Sequence, residues 1–319
     1  MTMVAPREIT TKPRRSDRIF RAVVTAGGMT ALAVLGLIAL FLWSKSSAVF
    51  STFGLDFVTS STWTPDVPGT EERGSFGIGA MLVGTLLTSV IALIFAVPVA
   101  VGLALFLTQY APSGVRGPLT VLVDLMAAIP SIVYGLWGYF VLMPHAIYWA
   151  KLLHKWLGWI PLFEVPAPIF ERSPFIAGLV LAVMIVPIVT AIAREVFGQA
   201  PRDRIEAAYA LGASKWATIR AVVLPHGRAG VVGGAMLGLG RALGETVAVY
   251  LVLNIVFDIN WKILASAGGS VASMIVNKFG EATEFEIQGL MAAGLVLFLL
   301  TLFVNLIADQ IVRFAGKGA

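Results

Sequence analysis

The 319 residues contain no cysteine. Disulfides, thiolate metal sites and cysteine nucleophiles are therefore excluded. Histidine is nearly as scarce. His145, His154 and His226 fall at unrelated spacings, which supports neither a metal site nor a catalytic dyad. Charge is thin too: Asp, Glu, Lys and Arg make up 13%, against roughly 25% in soluble domains. No glycine-rich loop of the kind that cradles nucleotide phosphates is present. An intramembrane enzyme would need a nucleophile and base, or metal ligands, facing one another at depth. The ionisable residues read within or near apolar runs are only Arg241, Glu245 and Asp124.

What the chain has in quantity is apolar surface. Hydrophobic residues make up 58%, in long recurring runs. A run of about 20 such residues spans a bilayer as a helix. Helices and closed barrels alone satisfy their backbone there. The reading is an all-α polytopic membrane protein with six spans, at about 22–43, 78–107, 119–143, 174–193, 228–257 and 286–314. The net charge of +5 is a poor argument for nucleic-acid binding, because the basic residues flank the apolar spans. The basic N-terminal region is long and the run after it is of spanning length, unlike a cleavable signal peptide.

Residues 1–21 form a polar, basic tail, expected to be disordered and to end at the membrane lipid surface. Trp43 closes the first span as an interfacial anchor. Pro98 and Gly102 predict a bend in the second span, and Pro130 a kink or break in the third. Loop 44–77 has turn chemistry at Pro68-Gly69, and loop 258–285 at Gly268-Gly269-Ser270. Ile147–Trp159, rich in Trp, Leu and Lys, reads as a helix lying in the interface. With the N-terminus inside, fifteen of the 23 lysines and arginines fall in inner segments and seven in outer ones. That excess places both termini in the cytoplasm.

The polar segment 194–227 lies on the same side. It carries Glu206-Ala207-Ala208, then Gly212, then Val222-Val223-Leu224-Pro225. Consecutive alanines offer a flat packing surface, and Gly212 permits a sharp turn into a second short helix. Pro225 is expected to stop that helix before the membrane. Such a helix pair suits insertion into a groove on another protein, though an ordinary amphipathic turn between spans would look similar.

Arg241 and Glu245 are four apart, so they share a helix face and can pair. An ionisable group near the bilayer centre costs roughly 2.5–3.5 kcal/mol on insertion scales. Two are retained only if they neutralise each other or face a polar path. Gly230, Gly234 and Gly238 lie on that face, leaving room for a close helix or for a pathway. Arg241 would offer a planar donor fork to an oxyanion, with Glu245 holding it. The alternative is a structural pair locking this helix to another subunit. Ser131 and Tyr134 sit beside Pro130, where they can bond an anion or satisfy carbonyls freed by the proline. Thr246 and Asn254 are further candidates for the path, or for packing.

The loop's spacing resembles the EAA loop of ABC importer permeases at every position: Glu-Ala-Ala, three residues, Gly, nine residues, an aliphatic, one residue, Leu-Pro. Gly240-Arg241-Ala242-Leu243-Gly244-Glu245-Thr246 resembles the permeases of phosphate-specific transport, the C-type subunit in particular. Ser61-Thr62-Trp63-Thr64-Pro65, Gly84-Thr85-Leu86 and Ala128–Gly138 agree with it. Asp124 and Gln109 stand where that pattern favours glutamate.

The resemblance implies a type I importer permease for inorganic phosphate. It also implies three protein partners. A second, related permease subunit would complete the path, and an ATPase dimer holding the ATP and Mg would dock on Glu206, Ala207, Ala208, Gly212, Leu224 and Pro225. An extracytoplasmic phosphate-binding protein would meet the outer loops, where the Trp63 loop and segment 147–159 are candidates. This chain itself would bind no cofactor. Another oxyanion, molybdate or sulfate, is the alternative cargo. A passive channel would need no docking loop.

Overall fold

The computed structural model describes residues 15–66 and 74–316. Residues 1–14 of the basic tail and the Pro68-Gly69 turn lie outside them. Five helical stretches are long and apolar enough to cross a membrane: Arg15–Phe53, Gly79–Tyr110, Pro174–Gly198, Lys215–Leu243 and Glu284–Ala308. Ser113–Ala128 and Ser131–Leu157, bent by 96° at their junction, make a sixth crossing if taken together. Counted with that pair as one span, the number matches the six spans read from the sequence. Several boundaries do not.

Helix α1 (Arg15–Phe53) is far longer than the 22–43 run. It takes in Arg15, Arg18 and Arg21, which were expected in a disordered tail. It also continues past Trp43, where Ser44, Ser46, Ser47 and Ser51 donate their hydroxyls to the preceding turn's carbonyls. It stops at Gly54, whose φ of 55° suits a glycine helix end. A short helix α2 (Asp56–Thr59) leads into an antiparallel ribbon, β1 (Trp63–Thr64) with β2 (Ser75–Phe76).

Helices α3 (Gly79–Leu105) and α7 (Pro174–Gly198) pack lengthwise at the centre. On α3, Ala92, Ala96, Ala100 and Ala104 are all fully buried. Small residues four apart let two helices approach closely. Helix α10 (Leu224–Leu243) lies along another side of α7. Gly227 faces Phe197, Gly230 faces Val196, Gly234 faces Ile192, and Gly238 faces Val189 and Ile185. The glycine stripe is thus a seam within this chain. It is filled by α7's branched side chains and leaves no pathway.

Helix α4 (Ser113–Ala128) ends at Ile129-Pro130, and α5 (Ser131–Trp137) begins directly after it. A π-turn over Gly138–Leu142 joins α5 to α6 (Met143–Leu157). Most of the aromatic segment 147–159 belongs to α6, the second arm of the pair bent by 96°. Tyr148, Trp149, Trp156 and Trp159 remain exposed on it.

The polar loop begins later than expected, since α7 carries Arg194 to its end at Gly198. Helix α8 (Arg202–Ala210) turns at Gly212, where φ is 83°. Helix α9 (Lys215–Thr218) starts on Ser214, whose hydroxyl accepts from the Ala217 N–H. Pro225 does not stop this helix. A π-turn over Ile219–Val223 carries it straight into α10, with Pro225 in the first turn of that helix. A widened turn accommodates a residue that lacks an N–H and crowds the preceding turn.

The fifth span also ends early. It was expected to reach Phe257, but α10 stops at Leu243, and after Gly244-Glu245-Thr246 a short helix α11 (Val247–Val252) follows. Helix α12 (Val271–Phe279) opens on a Ser270–Ser273 capping box, and α13 (Glu284–Gly316) packs on α1 and α10.

Trp63 is neither a surface anchor nor a free docking residue. It is buried against Phe76 and Phe257, and its Nε1 donates to Glu286 Oε1 at 2.6 Å.

Candidate functional site where two broken helices meet

Two helix breaks face each other, and the predicted site residues gather around them. The first is at Pro130, which has no N–H to give to the Met126 carbonyl four residues back. Tyr134 supplies the replacement: its hydroxyl donates to Met126 O at 2.7 Å. The tyrosine therefore satisfies a carbonyl freed by the proline, the structural one of its two readings. Ser131, half-buried, is the first residue of α5.

The second break is Gly244-Glu245-Thr246. Helix α5 packs on α11 beyond it. Gly135 is the close approach: a Cβ there would stand 2.9 Å from the Ala248 Cα and 2.8 Å from Leu251 Cδ1. No side chain fits, so the two short helices touch backbone to backbone.

Among the described residues Arg241 and Glu245 do not pair. The break separates them, which a continuous helix would not. Arg241 lies exposed in the last turn of α10. Glu245 is 9% exposed, and its Oε1 accepts from the Ala248 N–H at 3.3 Å, inside the first turn of α11. Each charge thus sits at the helix end that its sign favours, a cation at a C-terminus and an anion at an N-terminus. Arg241 is near enough to act electrostatically on the Tyr134 hydroxyl. Thr246 donates to Gly244 O at 3.2 Å and precedes α11.

The docking residues stand at the other end of α10. From Leu224 to Arg241 the helix covers about 25 Å at 1.5 Å per residue. Glu206, Ala207 and Gly212 are exposed, Ala208 is partly so, and α8 has no buried residue. Leu211, 89% exposed, and Trp216, 57% exposed, form an apolar tip. Lys215 ties the hairpin to the end of the second span, with its Nζ 4.4 Å from the centre of the Tyr110 ring.

Other polar contacts were not foreseen. Arg194 reaches Asp124 at 3.5 Å. Lys278 lies 3.7 Å from buried Glu286. Arg172 donates to Asn254 Oδ1 at 3.4 Å, and Asn254 in turn donates to Ser266 at 3.0 Å. The charged turn Glu171-Arg172 before Ser173-Pro174 was the one visible signal for the last of these. His145 and His154 each bond a backbone carbonyl through Nδ1.

Residues 96–317 match the family of binding-protein-dependent transport system inner membrane components. The chain belongs to that family. It is 44% identical over 302 residues to "Phosphate transport system permease protein PstC 2" of Mycobacterium tuberculosis, covering 93% of this chain and 92% of the relative. It is 42% identical over 274 residues to "Phosphate transport system permease protein PstC" of Pasteurella multocida, covering 84% and 82%. Among solved structures, a bacterial ABC transporter involved in import of the acidic polysaccharide alginate aligns with TM-score 0.53 at 16% identity, over 93% of this chain and 98% of that one. The MetNI methionine ABC transporter aligns with TM-score 0.51 at 20% identity, over 75% and 94%. At these identities the likeness is one of fold: a type I ABC importer permease. The chain is a multi-pass membrane protein of that architecture.

Proposed function

We propose that this chain is the C-type permease subunit of an ATP-driven importer of inorganic phosphate, working by alternating access. One observation carries the mechanism. An exposed hairpin with EAA-loop spacing runs without interruption from Lys215 through α10 to Arg241. A separate ATPase dimer grips Glu206, Ala207, Ala208 and Gly212, with Leu224 and Pro225 where the hairpin joins α10. Its movement is carried along α10, because a packed helix transmits displacement better than a loop. The break at Gly244 lets α10 move relative to α11, changing which side of the membrane reaches Arg241.

Arg241 receives the oxyanion with a planar donor fork. Glu245 stays just before α11, bonded to its first turn, and limits how tightly an anion binds nearby. Thr246, Ser131 and Tyr134 line the same junction. A second, related permease subunit completes the path, and an extracytoplasmic phosphate-binding protein delivers the cargo. Both termini lie in the cytoplasm, as the distribution of Lys and Arg favours. This chain binds no cofactor of its own.

The test is uptake of labelled phosphate by the reconstituted complex, with molybdate and sulfate as competitors. Arg241→Lys keeps the charge and loses the fork, so uptake should fall at least about tenfold while the partners still co-purify. Unimpaired uptake would overturn the role of Arg241. Stronger competition by molybdate or sulfate than by unlabelled phosphate would reassign the cargo.

A further inference from the structure

The geometry points to a second oxyanion-binding site on this chain, in the pocket where Arg172 meets Asn254 and Asn277. This rests on the oxyanion-importer reading above and adds an earlier stop to the path. The pocket holds about 370 Å³ and is lined by Arg172, Tyr250, Leu251, Asn254, Ile255 and Asn277, among others. That volume falls within the roughly 300–1,000 Å³ typical of small-molecule sites. It lies beyond the C-terminal end of α11, whereas Arg241 and Glu245 flank the N-terminal end. Helix α11 is only six residues long, about 9 Å at 1.5 Å per residue. Arg172 precedes α7 and the α8–α9 hairpin follows it, so the pocket is at the membrane face away from the docking loop.

Arg172 is half-buried and has no carboxylate within ion-pair distance among the described residues. A guanidinium carries five N–H donors, and here one is used, on Asn254. The side chain lies over the Tyr139 ring, 5.3 Å from its centre, which fixes it without neutralising it. Asn254 is held from its other end by Ser266, so its oxygen is committed to Arg172. The Arg172 backbone, at φ 48°, is the one non-glycine positive φ among the described residues. A left-handed non-glycine residue is strained and persists where its surroundings over-determine it. Three residues on, Phe175 N–H donates to Ile263 O at 2.9 Å and anchors the start of α7. The result is a cation with spare, oriented donors, held open to a polar pocket. A tetrahedral oxyanion supplies the charge and the acceptors it lacks. Asn254 is a positioning residue, and Asn277 adds an amide to the wall.

The test uses the assembled complex. Arginine modification by phenylglyoxal is followed residue by residue by mass spectrometry, in detergent at constant ionic strength. Inorganic phosphate should slow modification of Arg172 at least about tenfold relative to chloride, as direct charge-assisted contact requires. Equal rates in phosphate and chloride would overturn the site. Protection by phosphatidylglycerol but not by inorganic phosphate would also overturn it, assigning the pocket to a lipid headgroup. Asn254→Asp keeps the shape and places a carboxylate on Arg172, so phosphate protection should vanish and uptake should fall at least about tenfold. Uptake by Asn254→Asp within about twofold of the wild type would count against the site, since a carboxylate at contact distance opposes an anion by more than that factor. Failure of the wild-type complex to carry any oxyanion would sink the importer reading, and the protection experiment would still decide the pocket.

Discussion

Arg241 and Glu245 show how little a shared helix face says when the helix does not continue. Each is held by a helix terminus instead of by the other. Among the described residues that leaves the arginine's fork free of a carboxylate partner, which suits a group meant to receive an anion. Tyr134 shows the opposite case, a candidate ligand committed to backbone repair. Removing its hydroxyl leaves the Met126 carbonyl short of its 2.7 Å donor. Tyr134→Phe should therefore destabilise the chain by about 1–3 kcal/mol, read as a lower thermal unfolding midpoint in detergent. An unchanged midpoint would mean that the Ile129 N–H, 3.3 Å from the same carbonyl, satisfies it alone.

At the scale of elements, the decisive feature is the seam between α7 and α10. Four glycines of α10 face bulky side chains of α7, and the spacing lets the two helices pack closely. A Cβ on Gly230 would overlap the Val196 side chain, whereas one on Gly233 meets nothing within 4 Å. The two substitutions should differ in sign. Gly230→Ala overpacks the seam at a cost of about 1–3 kcal/mol, only partly offset by the gain of up to ~1 kcal/mol in helix propensity. Gly233→Ala should keep that gain whole. Thermal midpoints of the two variants, measured side by side, check this; a stabilised Gly230→Ala would mean that α7 and α10 separate easily.

For the whole molecule, topology is the property most open to test. Because the chain has no cysteine, single cysteines can be introduced without first clearing a background. In sealed spheroplasts a membrane-impermeant maleimide should label Asp258→Cys and Trp159→Cys. Ser214→Cys and Gly114→Cys should be labelled only after permeabilisation. The reverse pattern would invert the orientation. Labelling of Gly114→Cys and Trp159→Cys from the same side would make the pair bent by 96° a re-entrant loop.

Much of this was legible in the sequence for a plain reason. Hydrophobic run length registers a bilayer's thickness, and fixed motif spacing registers a local turn. The helical class, the count of six candidate crossings, the break at Pro130, the turn at Gly212 and the family were all readable this way. The hairpin's glycine announces itself because its backbone conformation is a property of one residue. Other features depend on what packs nearby. The tertiary structure alone decided that α10 stops at Leu243, since a buried Glu245 caps α11 there only because α11 has α5 to pack on. It alone placed the glycine stripe against α7, where a sequence pattern leaves the partner unspecified. It also turned Trp63 inward onto Glu286, 223 residues away in the chain, and brought Arg172 to Asn254 across 82. Periodicity records a residue's own helix or strand; contacts across such separations exist only once the chain has closed on itself.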